Sequence, residues 1–282
     1  MNHHATCVLL TLMNLTAFRY FTKTCFQALS DPLGWSRFII FFLAMSMNQA
    51  NFAETAKPGT TKEIIEEMEN LYRGRSSDAS ITMLIETPNY QRKLSMKSLS
   101  LGQERAFIRI LSPKKDRGVA TLKRNQEMWN YFPKINKVIK VPPSMMMGSW
   151  MGSDFTNDDL VKETSLVDAY ALSLTENEAE YIIELVPMES TVTVWGKIKY
   201  IISKSPLIPK AQIFYDDDLV KVREMIFLEP KEFDGRLMPS IIEMRPLDKE
   251  GHLTRIIYEA ITFNADSITE DTFSLRNLKS RF

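Results

Sequence analysis

Residues 125–155 read NQEMWNYFPKINKVIKVPPSMMMGSWMGSDF, which is the most informative part of the sequence. Its first half alternates as a β-strand does, and its second half is rich in methionine. The large apolar side chains of the second half are Met145, Met146, Met147, Trp150, Met151 and Phe155. Burying one such side chain contributes about 1.5–3 kcal/mol, so together they represent on the order of 10 kcal/mol that exposure to water opposes. We therefore expect an apolar surface to cover them.

The spacing of these residues favours a short helix. Pro143 suits the first helical turn, where its missing N–H is not needed. One apolar stripe at helical spacing would then consist of Met147, Trp150, Met151 and Phe155. Gly148 and Gly152 each cost about 1 kcal/mol relative to alanine inside a helix, which predicts a weakly helical element that moves. We interpret it as a lid or plug over an apolar cavity, whereas residue type alone is equally typical of an ordinary core.

Residues 1–56 are typical of a targeting segment. Arg37 precedes an apolar run at 38–47 that is followed by small residues, which is the pattern of a secretory signal peptide. The run is too short for a comfortable membrane span. Cleavage is expected between residues 50 and 56, and residues 1–35 are interpreted as an over-long start. The domain that remains, residues 57–282, is then expected to be soluble in the periplasm.

Composition excludes several classes of function. Both cysteines, Cys7 and Cys25, lie in the targeting segment, so the domain at 57–282 has neither disulfide nor thiolate chemistry. The whole chain has 35 basic and 35 acidic residues and no long basic run, so we expect no nucleic-acid partner. The spacing of a calcium loop is missing as well, and we expect neither a metal nor a cofactor.

The domain begins with a helix and continues in strands. Thr60 and Glu63 have the spacing of a capping box, and the apolar residues that follow recur at the helical period. Beyond Gly74 the period changes to two. Strands are predicted at 79–85, 94–100, 106–110, 117–123, 126–132, 137–141, 168–175, 180–186, 191–203, 208–215, 219–228, 237–246 and 253–263. This pattern indicates an α+β fold in which a long antiparallel meander curls around a cavity.

Three segments resemble the LolA-like outer-membrane lipoprotein-sorting proteins, and more closely an uncharacterised periplasmic branch of that family. They are Asn125–Pro133, Met145–Phe155 and the ending Ile268–Leu275, which is similar to the closing strand of that branch. The resemblance covers nearly all of residues 58–282. It implies an incomplete antiparallel β-barrel, closed by an N-terminal helix and a helical lid, that shelters the acyl chains of a lipid or lipoprotein. Each methylene kept from water is worth about 0.8 kcal/mol to such a carrier.

The resemblance also implies partners and a residue that closes the lid. An inner-membrane lipid exporter would supply the cargo, an outer-membrane acceptor would receive it, and the carrier would act as a monomer. In this family an arginine early in the sheet binds backbone carbonyls and so holds the lid closed. Arg105 is the nearest counterpart here.

Further candidates for contact with the ligand lie on the predicted strands. They are Trp129 and Tyr131 on one strand and Met83, Ile85, Leu94 and Met96 on two earlier ones. Residues two apart on a strand share a face, so Trp129 and Tyr131 point the same way. Each of these side chains either lines the cavity or belongs to the core.

Two other classes of protein are alternatives to a carrier. His252 is the single histidine of the domain, and no nucleophile elbow, phosphate loop or zinc-protease motif occurs, so we expect no enzyme. A periplasmic regulator or sensor, or an accessory protein of an exporter, could use the same cavity to bind a lipidated or unfolded protein.

A group of basic residues lies just before and within the stretch at 125–155. Its members are Lys114, Lys115, Arg117, Lys134, Lys137 and Lys140. They could face anionic lipid headgroups or an acidic partner. The alternative is a solvated sheet edge, where lysines discourage aggregation.

Overall fold

The computed structural model describes residues 60–161, 166–191 and 193–280. The predicted signal segment at 1–56 lies outside these ranges. Within them, no helix has the length and apolar character needed to cross a membrane.

Thirteen antiparallel strands form one sheet, in the order β6-β5-β4-β3-β2-β1-β13-β12-β11-β10-β9-β8-β7. The strands are β1 (Ser76–Glu86), β2 (Gln91–Leu101), β3 (Arg105–Ser112), β4 (Ala120–Arg124), β5 (Glu127–Phe132), β6 (Lys137–Lys140), β7 (Tyr170–Glu176), β8 (Glu180–Pro187), β9 (Lys197–Lys204), β10 (Leu207–Tyr215), β11 (Lys221–Phe233), β12 (Arg236–Pro246) and β13 (Leu253–Phe263). One meander runs from β1 to β6 and a second from β7 to β13. They join because β1 pairs with β13 as well as with β2.

The expected class of fold, an antiparallel sheet that curls without closing, is confirmed. In the described part of the chain β6 and β7 are the two edges of the sheet and do not pair with each other. The strand predicted at 191–203 is shorter than expected and begins at Lys197. The closing strand predicted at 268–275 is wrong, because that stretch forms a 3₁₀ turn at Glu270–Thr272 and then enters a helix at Leu275–Lys279.

Four short α-helices accompany the sheet in the described ranges: α1 (Thr61–Asn70), α2 (Asn157–Val161), α3 (Leu166–Ala169) and α4 (Leu275–Lys279). The capping box expected at α1 is present. The Thr60 hydroxyl accepts the Glu63 N–H at 3.2 Å, and the Glu63 carboxylate accepts the Thr60 N–H at 3.0 Å. The apolar side of α1, including Ile64 and Ile65, packs on the strands β8 to β10.

The two faces of the sheet carry different cores. Met225 and Phe227 pack against the cluster that contains α1 and also against the cluster that contains Phe155. The helix and the methionine-rich segment therefore lie on one side, which we call the inner face. The opposite, outer face of β2 to β5 is covered by the C-terminal residues Phe273 and Leu278.

Arg109 on β3 attaches α4 to the outer face. Its guanidinium donates to the carbonyls of Ser280 at 2.7 Å, Asn277 at 2.7 Å and Leu278 at 3.2 Å. The side chain is 2% exposed. Carbonyls in the last turn of a helix lack the partner four residues on, and the buried cation of Arg109 provides hydrogen bonds to three carbonyls at the end of α4.

Replacing Arg109 with methionine should therefore detach α4. Arg109→Met is expected to lower the free energy of unfolding by about 2–4 kcal/mol, because a buried cation with several acceptors is removed. Urea unfolding and amide hydrogen exchange of residues 275–280 measure the two effects.

Arg105 provides the matched control for this variant, since it lies on the same strand and faces the same side. Its ion pair with Glu270 is half exposed, so Arg105→Met should change stability by less than about 1 kcal/mol. Equal effects of the two variants would contradict the assignment of α4 to Arg109.

Candidate ligand-binding site

The methionine-rich segment, residues 142–161, is folded but is not the predicted helix. A 3₁₀ turn at Pro143–Met145 leads into a tight reversal in which Ser149 pairs with Thr156, and α2 follows. At the tip, Met151 has φ +53° and Gly152 has φ +75°. Two consecutive residues in the left-handed region cannot continue a right-handed helix, and for this reason the expected stripe of Met147, Trp150, Met151 and Phe155 does not form.

Trp150 is the central buried residue of this segment. It is 2% exposed and belongs to the inner-face cluster of β1 and β2. Its indole N–H donates to the Thr121 hydroxyl at 3.1 Å, and that hydroxyl donates to the Asn130 side-chain oxygen at 2.7 Å. The indole is thus both packed and hydrogen-bonded, which a buried tryptophan requires.

Several predicted ligand-contacting residues meet beneath Trp150. Met83, Ile85, Leu94 and Met96 are all at most 2% exposed and share one cluster with Trp150. Met146 and Met151 of the segment pack against this cluster, and Phe155 belongs to the adjoining cluster of Ile242 and Met244. The segment therefore covers an apolar inner face that contains several methionines.

Four of the predicted residues lie elsewhere. Met145 is 60% and Met147 is 42% exposed, so neither packs as expected. Trp129 and Tyr131 share a face as predicted, but it is the outer face, where they pack in the cluster of Phe273 and Leu278. Because alternate residues of β5 point to opposite sides, these two aromatic residues cannot line one cavity together with the inner-face methionines.

The tip of the segment is held by Arg92 of β2. Its guanidinium donates to the Met151 carbonyl at 2.8 Å and pairs with the Asp116 carboxylate at 3.0 Å. The Tyr90 hydroxyl donates to the neighbouring Gly152 carbonyl at 3.4 Å. These contacts stabilise the left-handed conformation of Met151, which is uncommon for a bulky side chain.

A second anchor joins the segment to β13. Asp154 accepts a hydrogen bond from the Thr254 hydroxyl at 2.7 Å, and its own N–H donates to the same hydroxyl at 2.9 Å. Nδ1 of His252 lies 3.3 Å from the other carboxylate oxygen. This accounts for the single histidine of the domain as a contact of the segment.

A third anchor lies at α2. The Asp159 carboxylate accepts hydrogen bonds from both terminal nitrogens of Arg223, at 2.9 and 2.5 Å. The Arg223 guanidinium lies 4.3 Å from the ring centres of Trp195 and of Phe214. A bidentate pair stacked on two aromatic rings is among the stronger arrangements for an arginine.

The expectation that Arg105 holds the segment is wrong. Arg105 faces the outer side of β3, like Arg109, and pairs with Glu270 at 3.2 Å. Arg92 instead contacts a carbonyl of the methionine-rich segment. Sequence reasoning missed five of these residues, which become partners only when distant strands come together: Arg92, Asp116, Thr121, Arg223 and Thr254. One signal was present: Thr156 and Asp159 have the spacing of a helix N-terminus.

Polar groups are also buried on the inner face. Lys123 is 4% exposed, and burial lowers its pKa from 10.5 to about 8, with a further decrease from the positive charge of Arg73. Burial raises the pKa of Tyr258 to about 12 and also raises those of Tyr72 and Tyr200. The rings of Tyr72 and Tyr258 are 5.0 Å apart. The inner face is therefore not purely apolar.

A pocket of about 320 Å³ opens beside the tip of the methionine-rich segment. It is lined by Arg92, Ile110, Lys115, Asp116, Val119, Phe132, Pro133, Lys134, Met151 and Gly152. Two of the basic residues singled out from the sequence, Lys115 and Lys134, thus lie at one opening. The described residues contain no cluster of three or more histidine, cysteine or acidic side chains that could hold a metal ion.

Comparison with solved structures shows that this unclosed antiparallel sheet has a LolA-like fold. A lipoprotein-sorting protein domain from Vibrio parahaemolyticus is 20% identical with a TM-score of 0.67, over 78% of this chain and 98% of that one. A DUF1329 family protein from Desulfovibrio piger is 21% identical with a TM-score of 0.69, over 77% and 97%. A LolA superfamily protein from Nitrosomonas europaea is 17% identical with a TM-score of 0.63, over 77% and 99%.

The chain has a LolA-like fold and belongs to a family that is described only as "Uncharacterized protein". The profile of that family matches residues 102–280, which is more than half of the chain. No curated protein matches the sequence. The matched residues include the methionine-rich segment and eleven of the thirteen strands in full.

Removing the Arg92 side chain should loosen the tip of the segment. Arg92→Met eliminates the hydrogen bond to Met151 and the ion pair with Asp116, so amide exchange of residues 149–153 should become at least roughly tenfold faster. Hydrogen exchange read by mass spectrometry measures this effect. The exposed Arg117 lies next to Asp116, and Arg117→Met should leave the exchange unchanged. An equal acceleration of exchange in both variants would show that the loss of a positive charge, and not the loss of the Arg92 contact with Met151, loosens the tip.

Lys123 predicts a pH-dependent stability. Between pH 8 and 10.5 the unfolded chain keeps a proton that the folded chain has lost, so stability from this group rises with pH across that window. Lys123→Met should therefore stabilise the protein at pH 7, by about 2–3 kcal/mol on the scale of about 1.4 kcal/mol per pKa unit. The advantage should fade near pH 10.

Urea unfolding of Lys123→Met and of the exposed control Lys137→Met, at pH 7 and at pH 10, tests this prediction. The control is expected to match the unmodified protein at both values. A stabilisation by Lys123→Met that is the same at pH 7 and pH 10 would exclude a buried charge as its cause.

Proposed function

We propose that this protein is a periplasmic carrier or chaperone that shelters the acyl chains of a lipid or lipoprotein. The observation that carries the proposal is the position of the methionine-rich segment. It lies across an apolar inner face and is held at its rim by the polar contacts of Arg92, Asp154 and Asp159.

The composition of the covered surface suits such a ligand. Met83, Met96, Met128 and Met238 belong to the cluster, and Met146 and Met151 pack against it. Unbranched, polarizable side chains fill irregular gaps and tolerate a change of neighbour. Such a surface can pack against Trp150 in one state and against an acyl chain in another.

The free energy gained by burying an acyl chain is comparable to the free energy lost when the segment is displaced. A chain of sixteen carbons gains about 12 kcal/mol gross when its methylenes leave water. Displacing the segment forfeits the burial of Trp150, Met151 and Phe155, which is worth about 1.5–3 kcal/mol each, and several polar contacts of about 1 kcal/mol each. Binding can therefore be favourable and still reversible, which a diffusing carrier requires.

The segment has the properties of a lid. Its polar contacts with the sheet are a few anchors near its ends and tip, and Met151 and Gly152 adopt left-handed backbone conformations. Strained backbone that surrounding contacts hold in place is found at clamps and switches. Releasing the anchors would expose Met83 and Met96 without breaking any strand pairing.

The proposal places the protein between two membranes. One neighbour with this fold is described as an outer membrane lipoprotein-sorting protein domain. We propose by analogy that an inner-membrane lipid exporter supplies the cargo and that an outer-membrane acceptor receives it.

The first test is native mass spectrometry of the protein purified from its own periplasm, with extraction of any bound lipid. A stoichiometric acyl-bearing species is the expected result. Photoactivatable palmitate should then label peptides of β1, β2 and the methionine-rich segment. Labelling confined to the C-terminal residues 268–280 would contradict binding at the inner face, and a protein that takes up no acyl compound would favour a regulator that binds polypeptide.

Two methionines of the same segment offer a matched pair of variants. Met151→Asp places a charge on the apolar inner face, and aspartate tolerates the left-handed backbone, so fluorescent fatty acid should bind at least tenfold more weakly. Met147→Asp changes an exposed side chain and should bind within twofold of the unmodified protein. Circular dichroism confirms that both variants fold. Equal affinities would remove Met151 from the site.

A further inference from the structure

We propose that the pocket beside the segment tip binds the anionic head of a single-chain amphiphile, a carboxylate or a phosphate, and that this anion draws Arg92 away from the Met151 carbonyl. The inference rests on the proposed function and adds to it the charge of the ligand head and a trigger for opening the lid.

The pocket is apolar at its base. Ile110, Val119 and Phe132 contribute side chains from the sheet side, and Met151 contributes from the lid. Its volume of about 320 Å³ equals that of about ten water molecules at roughly 30 Å³ each. That space holds a head group and the first few carbons. A longer chain would have to continue past Met151 toward the inner face.

The polar groups of the pocket are predominantly cationic. Arg92, Lys115 and Lys134 face a single carboxylate, that of Asp116. Lys115 and Lys134 are exposed and form no ion pair within the described ranges. Two uncompensated positive charges at the mouth of an apolar pocket complement an anionic amphiphile and repel a cationic one.

Arg92 has donors to spare for such an anion. Its Nε is buried and has no hydrogen-bond partner. The buried Oδ2 of Asp116 lies 3.0 Å from Nη2 of Arg92 but is not aligned for a hydrogen bond. The present contacts are thus incomplete. A carboxylate or phosphate can accept two parallel hydrogen bonds from a guanidinium, which is the geometry that arginine favours.

Engagement of Arg92 by a ligand would act directly on the lid. The bond from Nη1 to the Met151 carbonyl, at 2.8 Å, is the contact that holds the tip from the β2 side. A guanidinium that turns toward an anion in the pocket gives up this bond. Binding of the head would therefore weaken the closed state at the point where the chain must enter.

Isothermal titration calorimetry with three probes tests the inference: dodecanoate, dodecyltrimethylammonium and inorganic phosphate, each amphiphile below its micelle concentration. Dodecanoate should bind at least tenfold more tightly than the cationic amphiphile. The variant Lys115→Gln with Lys134→Gln should bind dodecanoate about tenfold more weakly, and should accelerate amide exchange of residues 149–153 less when dodecanoate is added.

The control double variant is Lys114→Gln with Lys137→Gln, which removes the same charge from neighbouring positions outside the pocket. It should bind dodecanoate within twofold of the unmodified protein. Equal losses in the two double variants would show a general effect of net charge and overturn the assignment to the pocket.

The remaining outcomes separate this inference from the proposed function. Equal affinity for the anionic and cationic amphiphiles would overturn the inference and leave the carrier function standing. Inorganic phosphate that binds as tightly as dodecanoate would mean a site for free anions and would also overturn it. Failure of both amphiphiles to bind would contradict the proposed function itself.

Discussion

The pairing of β1 with β13 holds the two halves of the sheet together. It joins two meanders that are each continuous in sequence, and it places Met83 opposite Ile256 and Ile85 opposite Thr254. Since paired residues share a face, this register puts Met83 of β1 and the threonine that binds Asp154 on one surface. A slip of one residue would turn the apolar side of β1 outward and remove both the floor and the anchor of the methionine-rich segment.

The segment is apolar where it contacts the sheet and polar where it is attached. Trp150 contributes the buried apolar area of the segment. The hydrogen bonds of Arg92, Thr254 and Arg223 determine where the segment lies on the sheet. Apolar contacts are roughly proportional to area and tolerate sliding, but hydrogen bonds fail once distance or angle departs from the optimum. The combination defines one closed position without making the apolar contact specific for Trp150.

Much of the fold was predictable because alternation along strands is a local property. The strand at 253–263 and the capping box at Thr60 were both read from neighbouring residues. The interior of 142–161 was not, because spacing alone favoured a helix while a left-handed Met151 depends on Arg92, fifty-nine positions away. The same limit explains the wrong prediction for Arg105. Alternate residues of a strand point to opposite faces, and the face of Arg105 became clear only from the pairing of β3 with β2. Met83 and Met96 were singled out because their strands alternate cleanly, and both are buried on the inner face.

The unclosed sheet has a mechanical consequence. In a closed barrel the number of strands and their stagger determine the diameter. Here the ring of hydrogen bonds is interrupted between β6 and β7, so a change in girth requires only a change of twist and coil, and no backbone hydrogen bond has to break. The largest ligand that the interior accepts would then depend on how easily the sheet deforms, and not only on the volume enclosed by the unliganded protein.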